Sequence, residues 1–136
     1  MQSTKSEARN TKQSEKNNIR NPKQYDLEER TLNFAKRVRN FVKKLPRNIS
    51  NIEDSKQIIR SSGSIGANYI EANEALSKKD FVIRIKISGK ESKETRYWLR
   101  LLDNGNNLDL ENESDQLIQE ATELMMILSS IMRNSL

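Results

Sequence analysis

The 136-residue chain contains neither cysteine nor histidine. Their absence excludes disulfides, thiol chemistry, imidazole acid or base catalysis, and zinc or copper sites built on nitrogen and sulfur. Any chemistry must come from carboxylates, amines and hydroxyls. Long apolar runs are also missing: the longest is LMMIL at Leu124 to Leu128, far short of the roughly 20 residues a membrane-spanning helix needs. No contact with a membrane is therefore expected. The first residues hold no apolar core of the secretory kind, so the cytoplasm is the expected compartment. The glycosylation sequons at Asn48-Ile49-Ser50 and Asn112-Glu113-Ser114 then carry no meaning. Nothing alternates apolar and polar residues over a useful length, and no Gly-rich phosphate loop or nucleophile motif is present.

What the chain has is charge and helical periodicity. An apolar content of 34% at this length suits one domain with a modest core. The net charge is +5, and residues 1–24 account for +4 of it, with Lys5, Arg9, Lys12, Lys16, Arg20 and Lys23 against Glu7 and Glu15. That segment has Ile19 as its only large aliphatic residue after Met1, too little apolar area to offset its ordering entropy. Residues 1–24 are therefore expected to be a disordered basic tail, either an arm for nucleic acid or an acidic partner or a plain solvating leader. Residues 25–136 are expected to fold as one unit.

Four helices are predicted there. Asp26 with Glu29 has the spacing of a capping box, and the first helix carries Leu27, Phe34, Val38, Phe41, Val42 and Leu45 on one face until Pro46 stops it. Its Lys36, Arg39 and Lys43 fall on the opposite side, an ordinary solvated face. The second helix is expected from Ser50 or Asn51, with Glu53 and Asp54 in its first turn. Its apolar side is Ile58, Ser62, Ile65, Tyr69 and Ala72, flanked by Ile59, Gly66 and Ile70. Small residues at 61–63, 66 and 67 imply a closely approaching partner helix, since glycine costs about 1 kcal/mol in a helix interior. Gly63-Ser-Ile-Gly66 also matches the GxxG of KH domains, a reading rejected because no strands flank it.

Ser77 and Asp80 form a second capping signature. The third helix follows, with Phe81, Ile85, Ser88, Ser92, Thr95, Leu99 and Leu102 on its seam. Gly105 suits its C-cap. The fourth helix is expected from Asn112, with Glu113 and Asp115 in its first turn and a face of Leu117, Ala121, Leu124, Leu128 and Ile131. Met125 and Met132 beside that face read as core fillers. Four helices with short connections predict an all-α, antiparallel up-and-down four-helix bundle.

Two polar stripes exceed what such a bundle requires. On the second helix Glu53, Gln57, Arg60, Ser64, Asn68 and Glu71 share a sector without lysine. On the third helix Glu91 projects among apolar seam residues and Glu94 sits at the edge, so a cationic partner is expected, Arg60 being the best placed. Arg60, Ser64, Asn68, Glu71 and Glu91 are thus expected to form a structural or intersubunit network, the alternative being a pore lining or ligand site. Behind the same seam stand Lys79, Lys86, Lys90, Lys93, Tyr97 and Arg100, an unbroken basic stripe about 30 Å long at 1.5 Å per residue. It is either a solvated face or a footprint for phosphates, on which Tyr97 could stack a base.

The segment 58–102 also carries a resemblance. Arg60 followed by Ser64, Ile65, Asn68 and Glu71, the SKKDF turn at Ser77 to Phe81, and the K-E-x-x-E-x-x-Y-W-L string at Lys90 to Leu99 resemble the four-helix proteins encoded within intervening sequences of bacterial large-subunit ribosomal RNA genes, the S23 type. The resemblance covers about residues 25–133. Well-known members end the first string N-I-A-E-G, whereas this chain has N-Y-I-E-A at Asn68 to Ala72. The resemblance implies a homo-oligomer, typically a ring of five bundles, with a basic surface and a role in binding RNA. A related branch resembles the accessory protein of diversity-generating retroelements, which associates with a reverse transcriptase.

The function expected from these features is a non-enzymatic RNA-binding oligomer without cofactor, metal or small-molecule substrate. The alternative is a scaffold for a protein such as a reverse transcriptase. Catalysis would have to rest on Glu91 with Glu94 or Glu71, whose spacing is equally explained by salt bridges to Arg60 and Arg96.

Overall fold

The structure, a computed structural model, describes residues 22–136, and the tail expected over residues 1–24 lies, apart from 22–24, outside them. Four helices follow in order: α1 Pro22–Val42, α2 Ile49–Asn73, α3 Lys78–Leu101 and α4 Leu108–Asn134. Thr31–Leu136 form a compact unit, to which the packing below refers. The described residues contain no strand, and the protein is an all-α four-helix bundle.

The helix starts show which local signals win. α1 opens at Pro22, four residues before the Asp26 start expected from the capping-box spacing. A proline at the first helical position forfeits no hydrogen bond and has its φ preset for the helix, so it is the stronger start signal. α2 is capped by Asn48, whose side chain accepts the Asn51 amide at 2.9 Å, so Glu53 and Asp54 fall beyond the first turn. α3 opens as its sequence indicates, with the Ser77 hydroxyl accepting the Asp80 amide at 3.1 Å. α4 starts a turn earlier than expected, because Asn107 is a cap that accepts the Leu110 amide at 3.1 Å. Its first-turn acids are Asp109 and Glu111, not Glu113 and Asp115.

The four apolar faces meet in one core. Phe34, Val38 and Phe41 of α1, Ile58 and Ile65 of α2, Ile85 and Leu99 of α3, and Leu117, Leu124 and Leu128 of α4 are all buried. Contacts between α2 and α3 run in antiparallel register, from Ser61 with Thr95 to Asn68 with Arg84. α4 returns alongside α3, where the Arg96 guanidinium donates to the Thr122 hydroxyl at 3.3 Å. Arg96 is thus spent on α4 and makes no salt bridge with the glutamates beside it.

The α2–α3 junction is made of small hydroxyl residues. Ser61, Ser88 and Thr95 make its cross-helix bonds and are completely buried, as are Ser62 and Ser92, which bond within their own helices. The Ser88 hydroxyl donates to the Ile65 carbonyl at 2.7 Å, the Thr95 hydroxyl to the Glu91 carbonyl at 2.8 Å, and the Thr95 and Ser61 oxygens lie 2.7 Å apart. Small side chains let the helices approach, and each hydroxyl finds a partner, which removes the cost of burying it. The close neighbour implied by Gly66 is α1: a Cβ there would come within 2.8 Å of the Thr31 hydroxyl oxygen.

One end of the bundle is tied by Asn51, which is buried. Its amide nitrogen donates to the Pro46 and Asp103 carbonyls, both at 2.9 Å, and its oxygen accepts the Asp103 amide at 3.0 Å. The α1–α2 and α3–α4 connections are thereby joined through one side chain. Gly105 contributes to the same end. It adopts φ +65, and a Cβ there would meet Pro46 Cγ at 2.8 Å. Gly105 lies in the loop, while the α3 C-cap itself is Leu102 in an extended conformation.

Candidate nucleic-acid interface

α3 presents opposite chemistry on its two sides. Its seam faces α2 through the buried hydroxyls, and the helical period then sends Lys79, Lys86, Lys90, Lys93 and Arg100 to the outside, all exposed. Tyr97 lies among them at 56% exposure, its ring edge-on to Trp98 with centroids 5.4 Å apart. Every cation of the predicted stripe is therefore available to solvent. No acidic residue interrupts it, so its field adds along the helix instead of cancelling.

The stripe is not uniform. Lys86, Lys90 and Lys93 border a hollow between α3 and α4 of about 270 Å³, with Ile85, Leu128, Met125 and Met132 in its walls. Gly89 of α3 and Ser129 of α4 complete the lining. Met125 and Met132 thus wall a surface hollow and are only partly buried, which corrects their reading as core fillers. The hollow follows from where α4 lies, which the pattern of α3 does not reveal. Its one trace in the sequence is Gly89, a mid-helix glycine about 1 kcal/mol less favourable than alanine. A second hollow, of about 300 Å³, lies between the end of α1 and the start of α2, with Lys43, Arg47 and Lys56 among its lining residues. Lys56 there is partnered by Glu53 at 3.3 Å. Lys43, expected on a plain solvated face, thus borders this hollow.

The polar string of α2 divides. The Arg60 guanidinium reaches Glu91 at 3.4 Å and Glu94 at 3.2 Å, so the partner expected for the seam glutamate is in place within the same chain. Asn68 donates to the Ser64 carbonyl at 2.9 Å and accepts from Arg84 at 3.1 Å, a second bridge from α2 to α3. Ser64 is half-buried and enters through its backbone, while Glu71 is exposed and joins neither bridge. Arg84 was not anticipated as a member, and only the register of α3 against α2 identifies it. Both Glu91 and Glu94 are held by one guanidinium. Among the described residues no group of three or more acidic side chains is placed to hold a metal ion, and no helix is long and apolar enough to cross a membrane.

Fold and surface together define a small all-α bundle protein with a continuous cationic helix face. The chain belongs to the 23S rRNA-intervening sequence protein family, whose family model matches residues 23–130. It is similar in structure to a protein with unknown function from the S23 ribosomal protein family of Bacteroides thetaiotaomicron, solved by crystallography at 1.70 Å. The two share 35% identity and a TM-score of 0.65 over 77% of this chain and 96% of that one. Among curated proteins none matches the chain.

Proposed function

We propose that this protein is a non-enzymatic, cytoplasmic homo-oligomer, a ring of five bundles, that binds RNA through phosphate contacts along α3. The observation that carries the reading is the exposure of Lys79, Lys86, Lys90, Lys93 and Arg100 on one helix face without an intervening acid. Membership of a family named for an insertion in ribosomal RNA supports a nucleic-acid partner. Oligomerisation would multiply one weak stripe by the number of subunits, so that avidity replaces a dedicated pocket.

Filter binding of ribosomal RNA fragments at several salt concentrations tests this. The Lys86→Glu, Lys93→Glu double variant should lower affinity for all sequences alike and flatten the log affinity against log salt slope by about 1.5 to 2 per protomer. An absence of binding by the wild type at low salt overturns the reading. Sedimentation equilibrium gives the subunit count.

A protein partner, such as a reverse transcriptase, is the second reading. It is favoured by exposed aliphatic residues around the α2–α3 turn, Ile70, Ile83 and the completely exposed Leu76. A pull-down from the native host that yields one stoichiometric protein without RNA would support it.

A further inference from the structure

Two of the partly buried glycines, Gly66 and Gly89, differ in what they make room for. A Cβ at Gly66 would collide with Thr31, so packing inside the chain requires that glycine. At Gly89 the nearest atom to an added Cβ would be the Leu128 Cβ at 3.7 Å, an ordinary van der Waals distance. Nothing among the described residues requires glycine there. What the missing side chain does is deepen the hollow between α3 and α4 where Lys86, Lys90 and Lys93 stand.

The lining specifies an occupant. Ile85, Leu128, Met125 and Met132 offer apolar and polarizable surface, and Ser129 is the only neutral polar residue of the lining. The lining holds three cations and no acid. An occupant complementary to this lining buries an apolar surface and carries negative charge beside it. Lys86 to Lys93 span about 10 Å of helix at 1.5 Å per residue, enough to follow a short length of backbone past the hollow. A volume of about 270 Å³ lies just below the roughly 300 Å³ at which pockets for whole drug-sized molecules begin. It suits a single ring system more than a complete nucleotide. Thioethers pack well against π faces, and with so few directional groups such a site would accept any base.

We propose that the α3–α4 hollow receives one unstacked nucleobase of single-stranded RNA, with Lys86, Lys90 and Lys93 on the flanking phosphates. This rests on the RNA-binding reading above and makes it specific. In duplex RNA the bases are stacked inward and cannot enter, so duplexes meet only the lysines.

The test is fluorescence anisotropy of the full chain with three labelled RNAs of equal length: a single strand, the same strand with abasic sites, and a duplex. Each is measured over a salt series with the wild type and with Gly89→Leu. That variant fills the hollow, keeps every lysine and improves helix propensity. The wild type should bind the base-bearing strand about tenfold more tightly than the abasic one, the size expected from covering one base face. Gly89→Leu should bind both strands as the wild type binds the abasic one, with an unchanged salt slope. Equal wild-type affinity for the base-bearing and abasic strands overturns the inference while leaving phosphate binding intact, and this comparison stands even if Gly89→Leu does not fold. Full retention of the tenfold preference by a folded Gly89→Leu overturns it as well. Failure of every RNA to bind at low salt, with binding of an acidic helical peptide instead, overturns the RNA reading itself.

Discussion

The two junctions made by α3 differ in kind. Toward α2 the contact is closed: small hydroxyl residues are completely buried, each hydroxyl has a partner, and Arg60 covers Glu91 and Glu94 at the edge. Toward α4 the contact is open at the surface, with methionines, a glycine that packing does not demand, and a rim of lysines. The same helix therefore closes one side with internal hydrogen bonds and leaves the other open at the surface. Polarity alone does not distinguish them, since both sides carry polar residues. Satisfaction does: the polar groups facing α2 have partners within the protein, whereas the lysines stand in solvent.

Neighbouring positions on α3 give the sharpest way to break that comparison. Ser88→Leu forces a large side chain into the closed junction and should destabilise the protein by about 3 kcal/mol, the upper end of the overpacking range, read as a fall in the urea midpoint. Gly89→Leu, one residue on, should raise stability by roughly 0.5 to 1 kcal/mol, because helix propensity improves and the side chain enters an existing hollow. If both substitutions destabilise, the α4 side is as closed as the α2 side. Arg60→Ala should have the smallest effect, about 0.5 kcal/mol, since its guanidinium is half exposed and such pairs contribute little. That difference should fade in high salt. A larger loss accompanied by a lower oligomer mass in sedimentation would move Arg60 from an edge bridge to a subunit interface.

Much of the bundle was legible from spacing. The face of α3 was readable even at Ser88, Ser92 and Thr95, because their positions between Ile85 and Leu99 count for more than their polarity. Arg60 could be matched to Glu91 because a buried-edge acid needs a cation and few were available. Asn51 could not be read as buried, since a polar residue that meets its partner from a distant segment looks like any surface polar residue. Asn48 and Asn107 are the caps where starts at Ser50 or Asn51 and at Asn112 are expected, so two helices begin earlier than their spacing indicates. The basic stripe is a property of one helix and was visible at once. The hollow beside it belongs to two helices and to the distance between them, which no single-helix pattern contains.

The Asn51 tie has a consequence for the stripe itself. By bonding Asp103, 52 residues on, it closes a loop that holds α2 from its first turn onward and all of α3, so a single side chain acts as a non-covalent cross-link across the mouth of the helix hairpin. With its far end bolted and its back pressed on the serine seam, α3 is a rigid rail. On the proposed reading, presenting its lysines to a polyanion would require ordering only the side chains, since the backbone is already fixed.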